Sequence, residues 1–251
     1  MVASQFEGRV ALVSGGARGI GEAHVRALIG AGARVVIGDV AAEPGERLAR
    51  EFGADRARFT RLDVQDAESW ESAVAVAEEF GQPVSVLVNN AGIARPHLIE
   101  NHPLDDWDLT LAVNLTGSFL GIRSVIEPMK RYGGGAIVNT SSMTTHQHPV
   151  AMASYTASKS GVTSLTRVAS MELAPYGIRV NALHPGMIAT DMTADADEAE
   201  TIARVPLRRF GTPEDVAGTM LFIVRDAHYA TGSDFFIDGG IIAGRVPGSG
   251  D

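Results

Sequence analysis

The stretch Ser14-Gly15-Gly16-Ala17-Arg18-Gly19-Ile20-Gly21 constrains this chain more than any other. It follows the apolar run Val10-Ala11-Leu12-Val13 and opens an amphipathic run, Ile20 to Ala31, so it reads as the turn between a first strand and a first helix. Glycines at such a junction permit a tight turn. They also let backbone N–H groups approach a pyrophosphate at the helix N-terminus, where the helix dipole favours an anion. A merely flexible turn would be glycine-rich too, but the placement in the first strand–helix unit points to a dinucleotide site. Its candidate contacts are Gly15, Arg18, Gly19, Ile20 and Gly21.

The same alternation continues downstream. Short apolar runs at Val10–Val13, Arg34–Ile37, Arg58–Leu62, Val84–Val88, Ala136–Asn139, Ile178–Leu183 and Asp234–Ile237 read as strands. Between them lie helical patterns such as Ile20–Ala31, Ala67–Phe80 and Tyr155–Ala174. The early strands are rich in Val, Ile and Leu with little polar alternation, as in a parallel sheet covered on both faces. The expected fold is α/β: one doubly wound, Rossmann-type domain over residues 1–251, with a central parallel sheet of about seven strands and helices on both faces. The Gly- and Pro-rich stretch 244–251 reads as a mobile tail.

Composition removes several alternatives. A formal net charge of −9 disfavours nucleic acid as a partner, because phosphate binding needs a basic face. No apolar run approaches the roughly 20 residues needed to span a bilayer, and Met1–Arg9 lacks the pattern of a secretion signal, so the expectation is a cytoplasmic enzyme without a membrane partner. The absence of cysteine excludes disulfides and thiolate metal sites. His146 and His148 have no third ligand at a metal spacing and read as polar rim residues, so no metal is expected.

Other cofactor contacts sit at the ends of successive strands, where open α/β sheets bind ligands. Asp39 ends the second strand about 20 residues beyond the glycine turn, where a carboxylate can accept hydrogen bonds from ribose hydroxyls and repel a 2′-phosphate. Arg18 pulls the other way, as a cation inside the turn, but no basic residue follows Asp39 closely. The balance favours NAD over NADP. Asp63 could bond the adenine amino group, with Val64 offering a backbone contact. In Asn89-Asn90-Ala91-Gly92, two amides and a glycine at a strand end can knit neighbouring strands and admit the cofactor closely.

The chemistry points to Tyr155 and Lys159. Four residues apart in a helical run, they share one face. An ammonium beside a phenol favours the phenolate and lowers its pKa from about 10, as a general base for an alcohol requires. A surface Tyr–Lys pair is the ordinary alternative. However, the chain has only two lysines, Lys130 and Lys159, among 21 basic residues, and one of them occupies this position. Upstream, the strand Ile137-Val138-Asn139 runs into Thr140-Ser141-Ser142, where a hydroxyl could polarise a substrate carbonyl. Ser141 and Ser142 satisfy that chemistry equally well.

Together these residues resemble the short-chain dehydrogenase/reductase family over roughly Gly8 to Gly240. The resemblance rests on the glycine turn (with Ser14 where Thr is more usual), Asn89-Asn90-Ala91-Gly92, Asn114, Ser142, Tyr155-Ala157-Ser158-Lys159, and Pro185-Gly186 followed by Thr190. It implies a catalytic tetrad of Asn114, Ser142, Tyr155 and Lys159, the family spacing selecting Ser142 over Ser141. Tyr155 would exchange the proton, Ser142 would orient the substrate oxygen, Lys159 would also bond the nicotinamide ribose, and Asn114 would anchor a relay water. It further implies that Pro185, Gly186, the Ile188 backbone and the Thr190 hydroxyl grip the nicotinamide, that a mobile lid covers 187–205, and that the enzyme is a homotetramer. The tetramer would be built through the helices around Leu104 to Arg131 and Tyr155 to Tyr176 and the C-terminal strand.

Within that family the sequence resembles bacterial 3α/20β-hydroxysteroid dehydrogenases, which implies NAD-dependent interconversion of a bulky secondary alcohol and its ketone. Met143, Val150, Met152, Met187, Ile188, Met192 and Ile202 suit an apolar alcohol or ketone substrate, though plain packing would use the same residues. A carbonyl or 3-oxoacyl thioester reductase of the same family is the alternative. A non-catalytic dinucleotide-binding sensor would be expected to have lost part of the tetrad.

Overall fold

The computed structural model describes residues 6–194 and 196–244. Seven strands form one parallel sheet: β1 (Val10–Ser14), β2 (Arg34–Asp39), β3 (Ala57–Arg61), β4 (Val84–Asn89), β5 (Gly135–Thr140), β6 (Ile178–Pro185) and β7 (Asp234–Ile237). They lie side by side in the order β3-β2-β1-β4-β5-β6-β7. The order reverses between β1 and β4, and a doubly wound sheet opens its binding crevice at that switch point.

The helices are α1 (Gly19–Gly30), α2 (Ala42–Phe52), α3 (Ala67–Glu78), α4 (Leu104–Leu111), α5 (Gly117–Tyr132), α6 (Thr144–Gln147), α7 (Ala153–Leu173), α8 (Glu198–Arg204) and α9 (Pro213–Arg225). Alternate residues of each strand face opposite layers. Ala11 and Val13 of β1 pack with Val25 and Leu28 of α1 and Met220 and Ile223 of α9. Val10 and Leu12 face the other way, toward Trp70 of α3 and Val125 and Met129 of α5. Each such buried Leu, Ile or Met contributes about 1.5–3 kcal/mol relative to exposure, and the central strands are buried on both faces. Helix ends follow local chemistry. Asp66 caps α3 through the Glu68 N–H, and Thr212 and Asp215 form a reciprocal box before Pro213 at the start of α9.

The expected strands are all present, but β1, β2, β4, β5 and β6 extend by one or two residues past the end of each apolar run. Ladder pairing is a backbone property, so Ser14, Asp39, Asn89, Thr140 and Pro185 complete strands although their side chains are polar or imino. Those terminal residues line or brace the cleft.

Leu104–Tyr132 forms a continuous helical stretch long and apolar enough, by composition, to cross a bilayer. In the fold it is a layer helix. Its Ile122, Val125 and Met129 pack on the sheet, and Asn114 and Ser118 make buried hydrogen bonds. The expected tail overlaps the described residues only at Gly244; the rest, 245–251, lies outside them, as does Asp195 of the expected lid.

Candidate active site

The glycine turn is shaped by contacts that leave no room for a side chain. A Cβ on Gly21 would stand 1.8 Å from the Gly15 carbonyl oxygen, and one on Gly15 would meet Ala91 Cα at 2.8 Å. Gly15 and Gly19 also adopt positive φ, 62° and 53°. The Ser14 hydroxyl accepts from the N–H groups of Asn90 (3.1 Å) and Ala91 (3.3 Å), and the Asn90 side chain donates to the Gly15 carbonyl (3.1 Å). The turn is therefore tied to the end of β4. One strand deeper, Asn89 donates to Asn139 Oδ1 (2.8 Å), and Asn139 donates to Thr166 Oγ1 (2.9 Å). The expected knitting by paired amides is present.

Asp39 completes this side. One carboxylate oxygen accepts from Ala17 N–H (3.0 Å) inside the glycine turn, the other from Ala41 N–H (2.9 Å). Each oxygen keeps a further lone pair on the cleft wall. Asp63 is engaged locally, accepting from the Gln65 backbone (3.0 Å) and side-chain amide (3.2 Å). The Val64 carbonyl, offered as a backbone contact from sequence, accepts from Trp70 Nε1 at 3.0 Å.

On the far side, β5 ends at Thr140 and the next two hydroxyls diverge. The Ser141 hydroxyl donates to the Lys159 carbonyl (3.0 Å) and shares a bond with Thr163 Oγ1 (2.8 Å), so it is spent on α7. Ser142 Oγ accepts from Thr144 N–H (3.2 Å) and lies within hydrogen-bonding reach of the Tyr155 phenol. The choice that local sequence leaves open falls on Ser142.

Lys159 is buried, with Nζ donating to the Thr140 carbonyl at 2.8 Å and lying 5.7 Å from the centre of the Tyr155 ring. Burial pushes its ammonium down to about 8. Burial also pushes the Tyr155 phenol up, and the hydrogen bond to Ser142 opposes that. Burial and the Ser142 hydroxyl are thus the two influences that set the phenol in this cleft, acting in opposite directions.

Asn114 is fully buried in a wide helical turn, Ala112–Thr116, joining α4 to α5. Its amide is fixed from both sides: Oδ1 accepts from Ile93 N–H (2.8 Å), while Nδ2 donates to the Ile93 carbonyl (2.9 Å) and Ser158 Oγ (3.0 Å). A Cβ on Gly92 would come within 3.2 Å of Lys159 Nζ and 3.3 Å of Asn114 Oδ1, so this glycine lets the three meet. Such π-type turns cluster at functional sites.

Ser142, Tyr155 and Lys159 share one cleft of about 460 Å³, and Asn114 lies behind its wall without lining it. Every residue expected to touch the cofactor lines it except Gly21, which shapes the turn from behind, and Ser142 lines it as well. Sequence reading missed Thr140, which holds Lys159, and Thr193. The Thr193 hydroxyl donates to the Ile188 carbonyl at 2.6 Å and closes the segment that carries Thr190. Ile188 itself is buried in the core, anchoring the start of the expected lid. Pro185 ends β6, and a Cβ on Gly186 would meet Asp238 Cα at 2.5 Å. His146 and His148 do not share a site: the His146 ring stacks edge-on against Phe236 at 4.9 Å, and His148 sits in a left-handed turn.

Comparisons with known proteins agree with this geometry. A model of the short chain dehydrogenase family matches residues 9–201. The chain is similar to the 3-alpha-(or 20-beta)-hydroxysteroid dehydrogenase of Mycobacterium tuberculosis, 46% identical over 94% of this chain and 90% of that protein. It is also similar to the trans-4-hydroxycyclohexanecarboxylate dehydrogenase of Sinomonas cyclohexanicum, 39% identical over 97% of this chain and 96% of that one. Among solved structures, a putative gluconate dehydrogenase from Agrobacterium tumefaciens superposes with a TM-score of 0.91 at 33% identity, covering 97% of this chain and 100% of the other.

Proposed function

The chain belongs to the short chain dehydrogenase family and is an oxidoreductase acting on CH–OH donors, and from that premise we propose that it interconverts a bulky apolar secondary alcohol, such as a hydroxysteroid, with its ketone, using NAD(H). The family's nicotinamide dinucleotide fits the cleft, whose glycine turn leaves backbone rather than side chains facing the space. When bound, it takes up the hydride from the carbinol carbon in oxidation and returns it in reduction.

The chain's own residues do the rest. Gly15, Arg18, Gly19 and Ile20 would cradle the pyrophosphate at the N-terminus of α1, with Gly21 allowing the turn; Asp39 would accept from the adenosine ribose, and Asp63, Val64, Asn90, Ala91 and Gly92 would flank the adenine side. Pro185, Gly186, Ile188 and Thr190 would border the nicotinamide. In oxidation Tyr155 takes the substrate hydroxyl proton while Ser142 donates a hydrogen bond to that oxygen. Lys159, held by Thr140, places positive charge beside the phenolate that accepts this proton, and Asn114 fixes the Ile93 segment behind both. The observation that carries this reading is the convergence of the Ser142 and Tyr155 hydroxyls in the cleft with the Lys159 ammonium buried behind them.

The choice of NAD rests on Asp39, whose carboxylate would face a 2′-phosphate. The apolar substrate rests on Met143, Val205 and Ile241, which pack with Met187 and Ile242 next to Ser142, and on the exposed Met192 on the cleft rim. A homotetramer accounts for the exposed Leu104, Phe119, Val168 and Met171 on the α4–α5 and α7 faces, and light scattering of the purified protein should give four times the 26.4 kDa chain mass.

The deciding experiment is a panel of hydroxysteroids, terpenoid alcohols, polyols and acetoacetyl thioesters, each assayed with NAD(H) and NADP(H). The expected outcome is the highest kcat/KM on a steroid or similarly bulky alcohol with NAD. A best substrate that is a polyol or a thioester would sink the substrate reading, and a tenfold preference for NADP would sink the reading of Asp39.

A further inference from the structure

We propose that His184 is a positioning residue for this reaction, holding the main chain of Ser142 while Asp234 and Arg167 hold His184. The inference rests on Ser142 being the residue that orients the substrate oxygen.

His184 is completely buried near the end of β6, next to the strand that delivers Ser142. Its Nδ1 lies 3.0 Å from the Ser142 carbonyl oxygen. A carbonyl only accepts, so Nδ1 carries a proton and donates. Its Nε2 lies 3.2 Å from Asp234 Oδ1 on β7, and Asp234 is paired in turn with Arg167 of α7. The ring is gripped at both nitrogens, and a turn would part Nδ1 from the Ser142 carbonyl and Nε2 from the carboxylate. The other neighbours leave it little freedom: Phe236 of β7 stacks at 4.5 Å, His146 of α6 meets it edge-on at 6.0 Å, and Thr145 Oγ1 is 3.4 Å from Nδ1.

The position of this chain is what gives it consequence. Ser141 N–H reaches the Leu183 carbonyl (2.7 Å) and Met143 N–H reaches the Pro185 carbonyl (3.1 Å), so the main chain is tied to β6 on both sides of Ser142. The carbonyl of Ser142 takes its bonds from His184, from the Thr145 hydroxyl (2.8 Å) and from the Thr145 N–H (3.3 Å). Fixing that peptide fixes the direction in which the Ser142 side chain leaves the backbone, toward Tyr155. Small displacements of a positioning group cost rate steeply.

The test compares His184→Phe, which keeps a flat aromatic ring and removes both ring nitrogens, with His184→Asn, whose amide can still donate to the Ser142 carbonyl. Tyr155→Phe and Ser142→Ala serve as references. His184→Phe is expected to lower kcat roughly tenfold, the loss of one hydrogen bond, with cofactor Kd unchanged, and His184→Asn to recover most of it. A folded His184→Phe protein with kcat within twofold of the parent overturns the proposal, as does His184→Asn no better than Phe. Should His184→Phe fail to fold, Asp234→Leu leaves the ring in place without its support. It should lower kcat with cofactor Kd intact, and parental kcat there overturns the proposal equally. If Ser142→Ala and Tyr155→Phe keep parental turnover, the reading of the site fails first; if both lose turnover while His184→Phe does not, only the positioning role fails.

Discussion

The two walls of the cleft are built from different materials. On the β1–β2–β4 side the glycine turn presents backbone: Gly15 and Gly19 line the cleft with no side chain to offer, Gly21 makes room from behind, and Ser14, Asn90 and Asp39 spend hydrogen bonds holding that backbone in place. On the β5–β6–α7 side it is made of functional groups, with Ser142, Tyr155 and Lys159 each projecting from a backbone of ordinary conformation. A binding surface made of backbone is sensitive to any added atom and indifferent to side-chain chemistry. A reacting surface made of side chains is the reverse. The first wall should therefore break on a methyl group and the second on the loss of a single oxygen or nitrogen.

The largest expected effect tests that division directly. Tyr155→Phe should lower kcat about a thousandfold, within the range for loss of a general acid–base, while cofactor Kd stays at the parental value. Gly21→Ala places a Cβ on the Gly15 carbonyl and should abolish measurable cofactor binding in titration calorimetry. If Tyr155→Phe lost the cofactor and Gly21→Ala kept it, the two walls would not be separable in this way.

Lys159 sharpens the contrast, because it works against the fold it sits in. Burial lowers its ammonium from 10.5 to about 8, so the protonated side chain costs the folded state about 3 kcal/mol wherever the pH is below 8. Between pH 8 and 10.5 the unfolded chain binds the extra proton, and the cost fades. Lys159→Met should lose about a hundredfold in kcat yet melt several degrees higher than the parent at pH 7, less whatever is lost by leaving the Thr140 carbonyl unpaired. That gap should close as the pH is raised toward 10.5. A variant that melts lower at pH 7 and shows no such trend would mean the lysine is not a strained group.

The same division explains what could be read from sequence. The glycine turn and the Tyr155–Lys159 spacing are short-range patterns, and short-range patterns report backbone and helix face faithfully. Ser141 and Ser142 are adjacent, equal in chemistry and both at a strand end; only the packing of α7 shows that Ser141 faces Lys159 and Thr163. Asn114 carries no local signal at all, since its place depends on a wide turn in the middle of an apolar helix. His184 and Asp234 are 50 residues apart and meet only because β6 and β7 pair. Long-range pairs of this kind are invisible to periodicity.

A smaller effect is expected at Asp39, where backbone support and cofactor choice meet in one carboxylate. Asp39→Asn keeps the shape but offers one acceptor where two N–H groups, of Ala17 and Ala41, now bond. The ratio of kcat/KM with NADP to that with NAD should rise about tenfold, with a stability loss of about 1 kcal/mol by denaturant melt. An unchanged ratio would leave Arg18, not Asp39, as the residue that decides.

The smallest effect on turnover is expected at His24, on the backbone wall. It lies within α1, completely buried, and neither ring nitrogen has a hydrogen-bond partner among the described residues. Burial alone lowers its pKa from 6.5 to about 3. The fold therefore favours the neutral ring: its stability is intact above 6.5 and declines as the pH falls toward 3, by about 1.4 kcal/mol for each pH unit, because the unfolded chain takes up a proton the folded one refuses. His24→Leu should leave kcat at pH 7 within twofold of the parent and flatten the acid limb of the stability curve between pH 6.5 and 3. Since the folded ring stays neutral at pH 4 to 5, cofactor added there should protect parent and variant equally. An acid limb of equal slope in both proteins would place the acid weakness elsewhere, and the next group to test would be the buried His184 beside Asp234, whose pKa burial also lowers.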